Sequence, residues 1–261
     1  MLMGLVYKPV IEAVDLAKKI CKLATNIGFK VSTYTRIDDN IPVFDLERDE
    51  QDYIVVIGGD GTLARTCKKV AGKKTEILTV KMGRRAYLME LNENEIEKGI
   101  KELLMDHQVE ELRIGEFVIK DKKSYFFNDI ALMTTEGRTV LITVKTLGNK
   151  REIEGDGIII STPQGSPAWN FSAGGPIVYG IKSYIITPMN PVNRLSSLVI
   201  PEVEINLSIG SKFNQPKVLL SADGENIAKI EEGDEITVLP STKSVKIARL
   251  KGVKYIHGWF E

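Results

Sequence analysis

Histidine and cysteine are scarce in this 261-residue chain, with two of each: His107, His257, Cys21 and Cys67. They do not cluster at ligand spacing, which argues against a zinc site. Two cysteines are too few for a disulfide framework and point to a reducing compartment, hence to a cytoplasmic protein. Both fall within helical patterns and are expected in the core rather than as nucleophiles. Net charge is missing as well, because 35 Lys and Arg balance 35 Asp and Glu. No global basic field exists to hold nucleic acid or an anionic membrane, so any anion-binding surface must be local. Long apolar runs are absent: Ile54–Ile57 and Ile158–Ile160 fall far short of the ~20 residues of a membrane helix. The start, MLMGLVYKPV, lacks a basic stretch followed by a long apolar one, so no secretory signal is expected.

What is present changes character near residue 110. Ahead of it, strand-like runs alternate with helical patterns. Ile11, Val14, Ala17, Ile20, Leu23, Ala24 and Ile27 recur at spacings of three and four, one apolar helix face ended by Gly28. Tyr53–Ile57 is apolar without alternation, as in a strand buried on both faces of a parallel sheet. It runs into Gly58-Gly59-Asp60-Gly61-Thr62 and a helix expected from Leu63 to about Ala71. Asn92 and Glu95 form a capping-box pattern ahead of Ile96, Ile100, Leu103 and Leu104. This alternation predicts a doubly wound, Rossmann-like α/β domain over 1–110. Beyond it the helical period fades into short strands separated by Gly, Pro, Asn and Asp, predicting a β-rich, mainly antiparallel domain over 111–241.

Four stretches carry chemistry. Gly58–Thr62 lets the backbone turn tightly at a strand's carboxyl end, placing amides at a helix N-terminus where phosphate oxygens bind. An aspartate beside phosphates is electrostatically odd unless it binds a metal or takes a proton, which singles out Asp60. A structural cap is the bland alternative. The segment from Asp156 through Ser161-Thr162-Pro163-Gln164-Gly165-Ser166-Pro167-Ala168-Trp169 to Ser172-Ala173-Gly174-Gly175-Pro176 is dense in small hydroxyls. It suits hydrogen bonding to a base or ribose, with Trp169 as a stacking face or else a core plug. Asn128-Asp129 pairs an amide with a carboxylate able to grip a diol, or forms a turn. Asp223-Gly224-Glu225 reads as a hairpin turn. Lys81, Arg84 and Arg85 put three cations in one short segment, suited to phosphates or to a solvated loop.

In this order the stretches resemble the NAD kinase family, whose motifs are Gly-Gly-Asp-Gly-Thr, an Asn-Glu pair, and a long loop Asp-Gly…Ser-Thr-Pro-x-Gly-Ser-x-Ala-Tyr…Ser-x-Gly-Gly-Pro. Ile186-Thr187-Pro188 and Asp223-Gly224 match its later elements. The resemblance implies a substrate cleft between two domains, the first completed by residues 242–261. It implies phosphoryl transfer from ATP, or polyphosphate, to the 2′-hydroxyl of the adenosine ribose of NAD, with a divalent metal, magnesium by expectation. Asp60 would orient or deprotonate that hydroxyl. Gly61, Asn128, Asp129, Asp156, Ala168, Trp169 and Ser172 would bind NAD alongside it. Gly58, Gly59, Gly61, Thr62, Arg65, Lys81, Arg84 and Arg85 would face the donor phosphates, and no residue is assigned to metal. A homodimer or homotetramer is implied too. Asp129 replaces glutamate, Trp169 replaces tyrosine and Pro167 stands where threonine is common. Lys81-Met82-Gly83-Arg84-Arg85-Ala86-Tyr87-Leu88 replaces Asn-x-Gly-x-x-Gly-Phe-Leu. A lipid or sugar kinase sharing only the glycine turn, and a non-catalytic dinucleotide-binding regulator, are the alternatives.

Overall fold

The face marked by Ala13, Leu16, Ala17, Ile20 and Ala24 is buried along helix α1 (Ile11–Ile27), which stops where the Gly28 N–H caps the Thr25 carbonyl. This helix belongs to the first of two units in the computed structural model, which describes residues 1–83, 86–210 and 216–250. The first unit comprises Met1–Leu112 with the chain from Lys243, and the second Arg113–Thr242.

In the first unit β1 (Leu2–Tyr7) precedes α1, followed by β2 (Lys30–Thr33), β3 (Tyr53–Gly58), α2 (Asp60–Val70) and β4 (Glu76–Lys81). A short turn, Glu93–Glu95, opens α3 (Ile96–Leu103), and β5 (Gln108–Arg113) follows. The expected capping box forms, with the Glu95 carboxylate accepting the Asn92 N–H at 2.8 Å. The sheet order is β2-β1-β3-β4-return strand-β5, the return strand being Ser244–Arg249 from the far end of the chain. It pairs parallel with β4, setting Lys246 opposite Glu76 and Ile247 opposite Ile77.

Val55, Ile57, Leu78 and Val80 share a core with α1 and α3. Alternate side chains point to the opposite face, where α2 packs on β1 and β3. Helices on both faces explain why β3 is apolar without alternation, and the doubly wound reading is correct. Chain order reverses between β1 and β3, the place where open α/β sheets bind ligands at their carboxyl ends.

The second unit contains β6 (Gly115–Ile119), β7 (Lys122–Phe126), β8 (Asp129–Thr134), β9 (Val140–Thr146), β10 (Asn149–Gly155) and β11 (Gly157–Ser161). It continues with β12 (Ser183–Met189), β13 (Leu198–Pro201), β14 (Ile205–Ile209), β15 (Val218–Ala222), β16 (Glu225–Ile230) and β17 (Glu235–Leu239). Two six-stranded sheets result, β10-β9-β14-β17-β6-β7 and β13-β12-β11-β8-β15-β16. Their described pairings are antiparallel. Phe117, Phe126, Ile142 and Leu207 from one sheet meet Leu132, Ile158, Ile160 and Tyr184 from the other in a single core. Cys21 and Cys67 are both buried, as expected of core residues. No helix among the described residues is long and apolar enough to cross a membrane.

Candidate active site

In the first unit the glycine turn follows β3 directly. The helix begins at Asp60 rather than at the expected Leu63, with Gly59 as its N-cap. Close packing dictates the first glycine: a Cβ on Gly58 would stand 2.7 Å from Thr62 Oγ1. Thr62 is itself buried, and its N–H donates to the Gly59 carbonyl at 2.9 Å. It therefore forms the wall of the turn, and its amide is not available to phosphate as the sequence suggested. Gly61 and Arg65 are exposed, and the space beside the Gly61 Cα is open. Lys81, half-buried, ends β4 close enough to act electrostatically on Asp60. Arg84 and Arg85 lie outside the described residues.

Asp60 is held rather than free. Its Oδ2 accepts the Tyr87 N–H at 2.9 Å and its Oδ1 the Leu88 N–H at 3.0 Å. Burial raises its carboxyl above the ordinary range, against the opposing pull of those two amides and of Lys81. One lone pair on each oxygen is left for a ligand. Such a carboxylate can accept a proton from a hydroxyl placed against it.

In the second unit Asn128 and Asp129 sit at the corner between β7 and β8, gripped from two sides. The Asp223 carboxylate accepts the N–H groups of Phe127 at 2.9 Å, Asn128 at 2.6 Å and Asp129 at 3.3 Å. From the other side, the Thr162 N–H and the Ser161 hydroxyl donate to the Asn128 carbonyl at 2.9 and 3.1 Å. Gln164 and Thr162 donate to the Phe127 carbonyl. A Cβ on Gly165 would lie 2.0 Å from the Asn128 carbonyl oxygen, so only glycine lets the loop approach this closely.

The hydroxyls of Ser161, Thr162 and Ser166, which the sequence offered to a base or ribose, are buried and bonded to the protein's own backbone. They build the corner instead of facing a ligand. Sequence reasoning singled out Asp223 as a hairpin turn and a family element but missed its second task, since no local signal marks a contact made across ninety-five positions.

Of the other residues expected at the site, Asn128 is half-buried, and its Oδ1 is buried with no partner among the described residues. Asp129 is only 4% exposed; burial, then the Asp223 charge, push its carboxyl up to about 7. Ala168 breaks helical geometry inside the Ser166–Asn170 turn (φ −84°, ψ −126°), and Trp169 there is half-buried. Asn170 pins that turn, donating to the Ser166 and Pro176 carbonyls and accepting from Thr187 at 2.6 Å. Ser172 is exposed. Asp156 accepts from Asn190 at 2.7 Å and stands at the opposite end of β11 from the Ser161–Asp129 pairing. That end-to-end separation is roughly 17 Å at the rise of a strand.

Known proteins resemble this chain along most of its length. The ATP-NAD kinase N-terminal domain model matches residues 13–108, and the ATP-NAD kinase C-terminal domain model matches 127–250. An NAD kinase of Sulfurisphaera tokodaii is 32% identical over 95% of this chain and 95% of its own. One from Saccharolobus islandicus is 30% identical over 94% and 92%. Among solved structures, yeast NADH kinase complexed with NADH superposes with a TM-score of 0.86 at 21% identity, covering all of this chain and 86% of that one. An NAD kinase from Archaeoglobus fulgidus in complex with ATP gives 0.81 at 23%, covering all of this chain and 97% of that one. The C-terminal match spans the whole long loop from Asp156 to Pro176, and the chain belongs to the NAD kinase family.

Proposed function

We propose that this protein transfers a phosphoryl group from ATP to the 2′-hydroxyl of the adenosine ribose of NAD, and that Asp60 takes the hydroxyl proton. The observation that carries this reading is the Asp60 carboxylate at the head of α2, fixed by two amides and raised by burial. As the 2′-oxygen attacks, the O2′–Pγ bond forms, the bond from Pγ to the leaving oxygen breaks, and ADP departs with that electron pair. The proton passes to Asp60. Since the transition state is loose, placement of the hydroxyl supplies much of the rate, and general-base help adds to it.

Donor phosphates are assigned to the Gly58-Gly59-Gly61 backbone, Arg65 and Lys81, with Thr62 shaping the turn. The dinucleotide is assigned to Asn128, Asp129, Asp156, Ala168, Trp169 and Ser172. Contacts at both ends of β11 suit a ligand made of two nucleotides. Among the described residues no three His, Cys, Asp or Glu side chains converge as a metal site. A magnesium ion held by one carboxylate together with substrate phosphates and water needs no such cluster. Magnesium is assigned to the donor, entering on the triphosphate as part of the substrate and offsetting its charge. A cytoplasmic location and a dimeric or tetrameric state belong to the same proposal, the second read by light scattering.

The deciding experiment incubates the protein with NAD, magnesium and either ATP or polyphosphate and follows NADP. Formation of NADP is expected, with NADH, sugars and diacylglycerol as competing acceptors. Binding of NAD without any NADP would make the chain a dinucleotide-binding regulator instead.

A further inference from the structure

Leu88, whose N–H holds Asp60, is itself held at its other main-chain group. Its carbonyl accepts a bond from Arg249 Nη1 at 3.3 Å, while its N–H donates to Asp60 Oδ1 at 3.0 Å. Arg249 ends the return strand, with a side chain only 5% exposed. Its Nε donates to Glu110 at 2.7 Å, and its Nη1 faces Glu90 Oε2 at 3.5 Å. The other Glu90 oxygen accepts the Leu250 N–H at 2.7 Å, and the Glu90 N–H donates to Thr79 Oγ1 on β4. One buried cation thus joins three stretches distant in sequence: the 86–90 loop, β5 and the return strand.

Packing alone does not account for this arrangement. A buried arginine flanked by two carboxylates is a costly way to anchor a strand, because apolar residues of equal volume serve as well or better. An arginine does supply what apolar residues lack, a fixed fork that sets the orientation of the peptide it bonds. The peptide it bonds here is the one that follows Leu88, joined through the Leu88 Cα to the peptide whose N–H fixes Asp60. Small displacements of a reacting group cost large factors in rate.

We propose that Arg249 is a positioning residue for phosphoryl transfer, acting through the main chain of Leu88 on the Asp60 carboxylate. This rests on the reading of Asp60 as the proton acceptor. The role is distinct from binding: Arg249 orients a group that matters in the transition state, so its loss lowers kcat more than it raises KM.

The test is a double-mutant cycle on the full-length protein. Arg249→Met is combined with Glu90→Gln, which neutralises the more deeply buried of its two carboxylate partners (side chain 1% exposed against 24% for Glu110), and the pair is made in the parent and in Asp60→Asn. The expected result has three parts. Asp60→Asn alone lowers turnover by at least about a hundredfold. The Arg249 and Glu90 replacements lower kcat about tenfold in the parent with NAD affinity by titration within twofold. In the Asp60→Asn background the same replacements change kcat less than twofold, since the group they position is gone. An equal loss in both backgrounds, or unchanged kcat per folded molecule, overturns the inference and leaves the Asp60 reading standing. Turnover of Asp60→Asn within threefold of the parent overturns the Asp60 reading, and the inference with it. Should the paired variant not fold, Arg249→Lys and Glu90→Gln, each alone, enter the same cycle with the same criteria.

Discussion

The Asp223 carboxylate accepts the main-chain N–H of Asn128 at 2.6 Å. A hairpin turn between β15 and β16 thereby fixes the corner that carries the family's amide-carboxylate pair. Asp223 and Gly224 both adopt positive φ, 50° and 77°, which the two-residue turn requires. That backbone aims the carboxylate at three successive N–H groups. Replacing Asp223 by Asn puts an NH2 where an acceptor is needed. The expected outcome is a loss of roughly 2–3 kcal/mol in urea denaturation, together with NAD binding weakened about tenfold or more. An unchanged NAD titration would show that the corner is rigid without Asp223.

Asp129 makes stability depend on pH. Its folded-state value of about 7 lies above the ordinary 3.8. Its contribution to stability is therefore complete at pH values below the ordinary one and is lost as pH rises through about 7. Asp129→Asn removes that dependence. Measured against the parent, the variant should gain stability steadily between pH 5 and pH 8, by on the order of 3 kcal/mol. A difference constant across that range would show that the carboxylate is not desolvated.

Trp169 is half-buried in a turn pinned by Asn170. The assignment of its ring to a base predicts that Trp169→Ala weakens NAD binding by about 1–3 kcal/mol while the melting temperature falls little. A variant that melts early but binds NAD normally when folded would make the ring a structural plug.

Chelation separates substrate metal from resident metal. With no cluster of ligands among the described residues, excess EDTA should stop NADP formation yet leave the melting temperature of the free protein unchanged. A fall in melting temperature on chelation would reveal a bound structural ion.

Much of the fold was legible because buried elements advertise themselves. The spacing from Ile11 to Ile27 marked α1, and the unbroken Tyr53–Ile57 run marked β3. The strands left unread were β5, β7, β10, β13 and β16, and each forms an edge of its sheet. Edge strands bury less and carry more charge: Asn149–Glu152 in β10 and Glu225–Ile227 in β16 are exposed. The glycine turn and the long loop were visible as motifs, but not which of their groups face inward. Ser161, Thr162 and Ser166 read as ligand contacts because composition cannot say where a hydroxyl points. Nothing local to Arg249 announces its bond to the Leu88 carbonyl, made across 161 positions.

The return strand also has a meaning for synthesis. The first unit's sheet cannot close until the whole of Arg113–Thr242 has been made, since the strand between β4 and β5 comes afterwards. While the ribosome works through that stretch, β4 exposes an open parallel edge, the kind of surface that invites misassembly. The Leu88 carbonyl meanwhile lacks its Arg249 partner. Under the roles proposed for Asp60 and Arg249, translation withholds that geometry until the return strand emerges, and a product cut short before Ser244 is expected to be inactive and prone to aggregate.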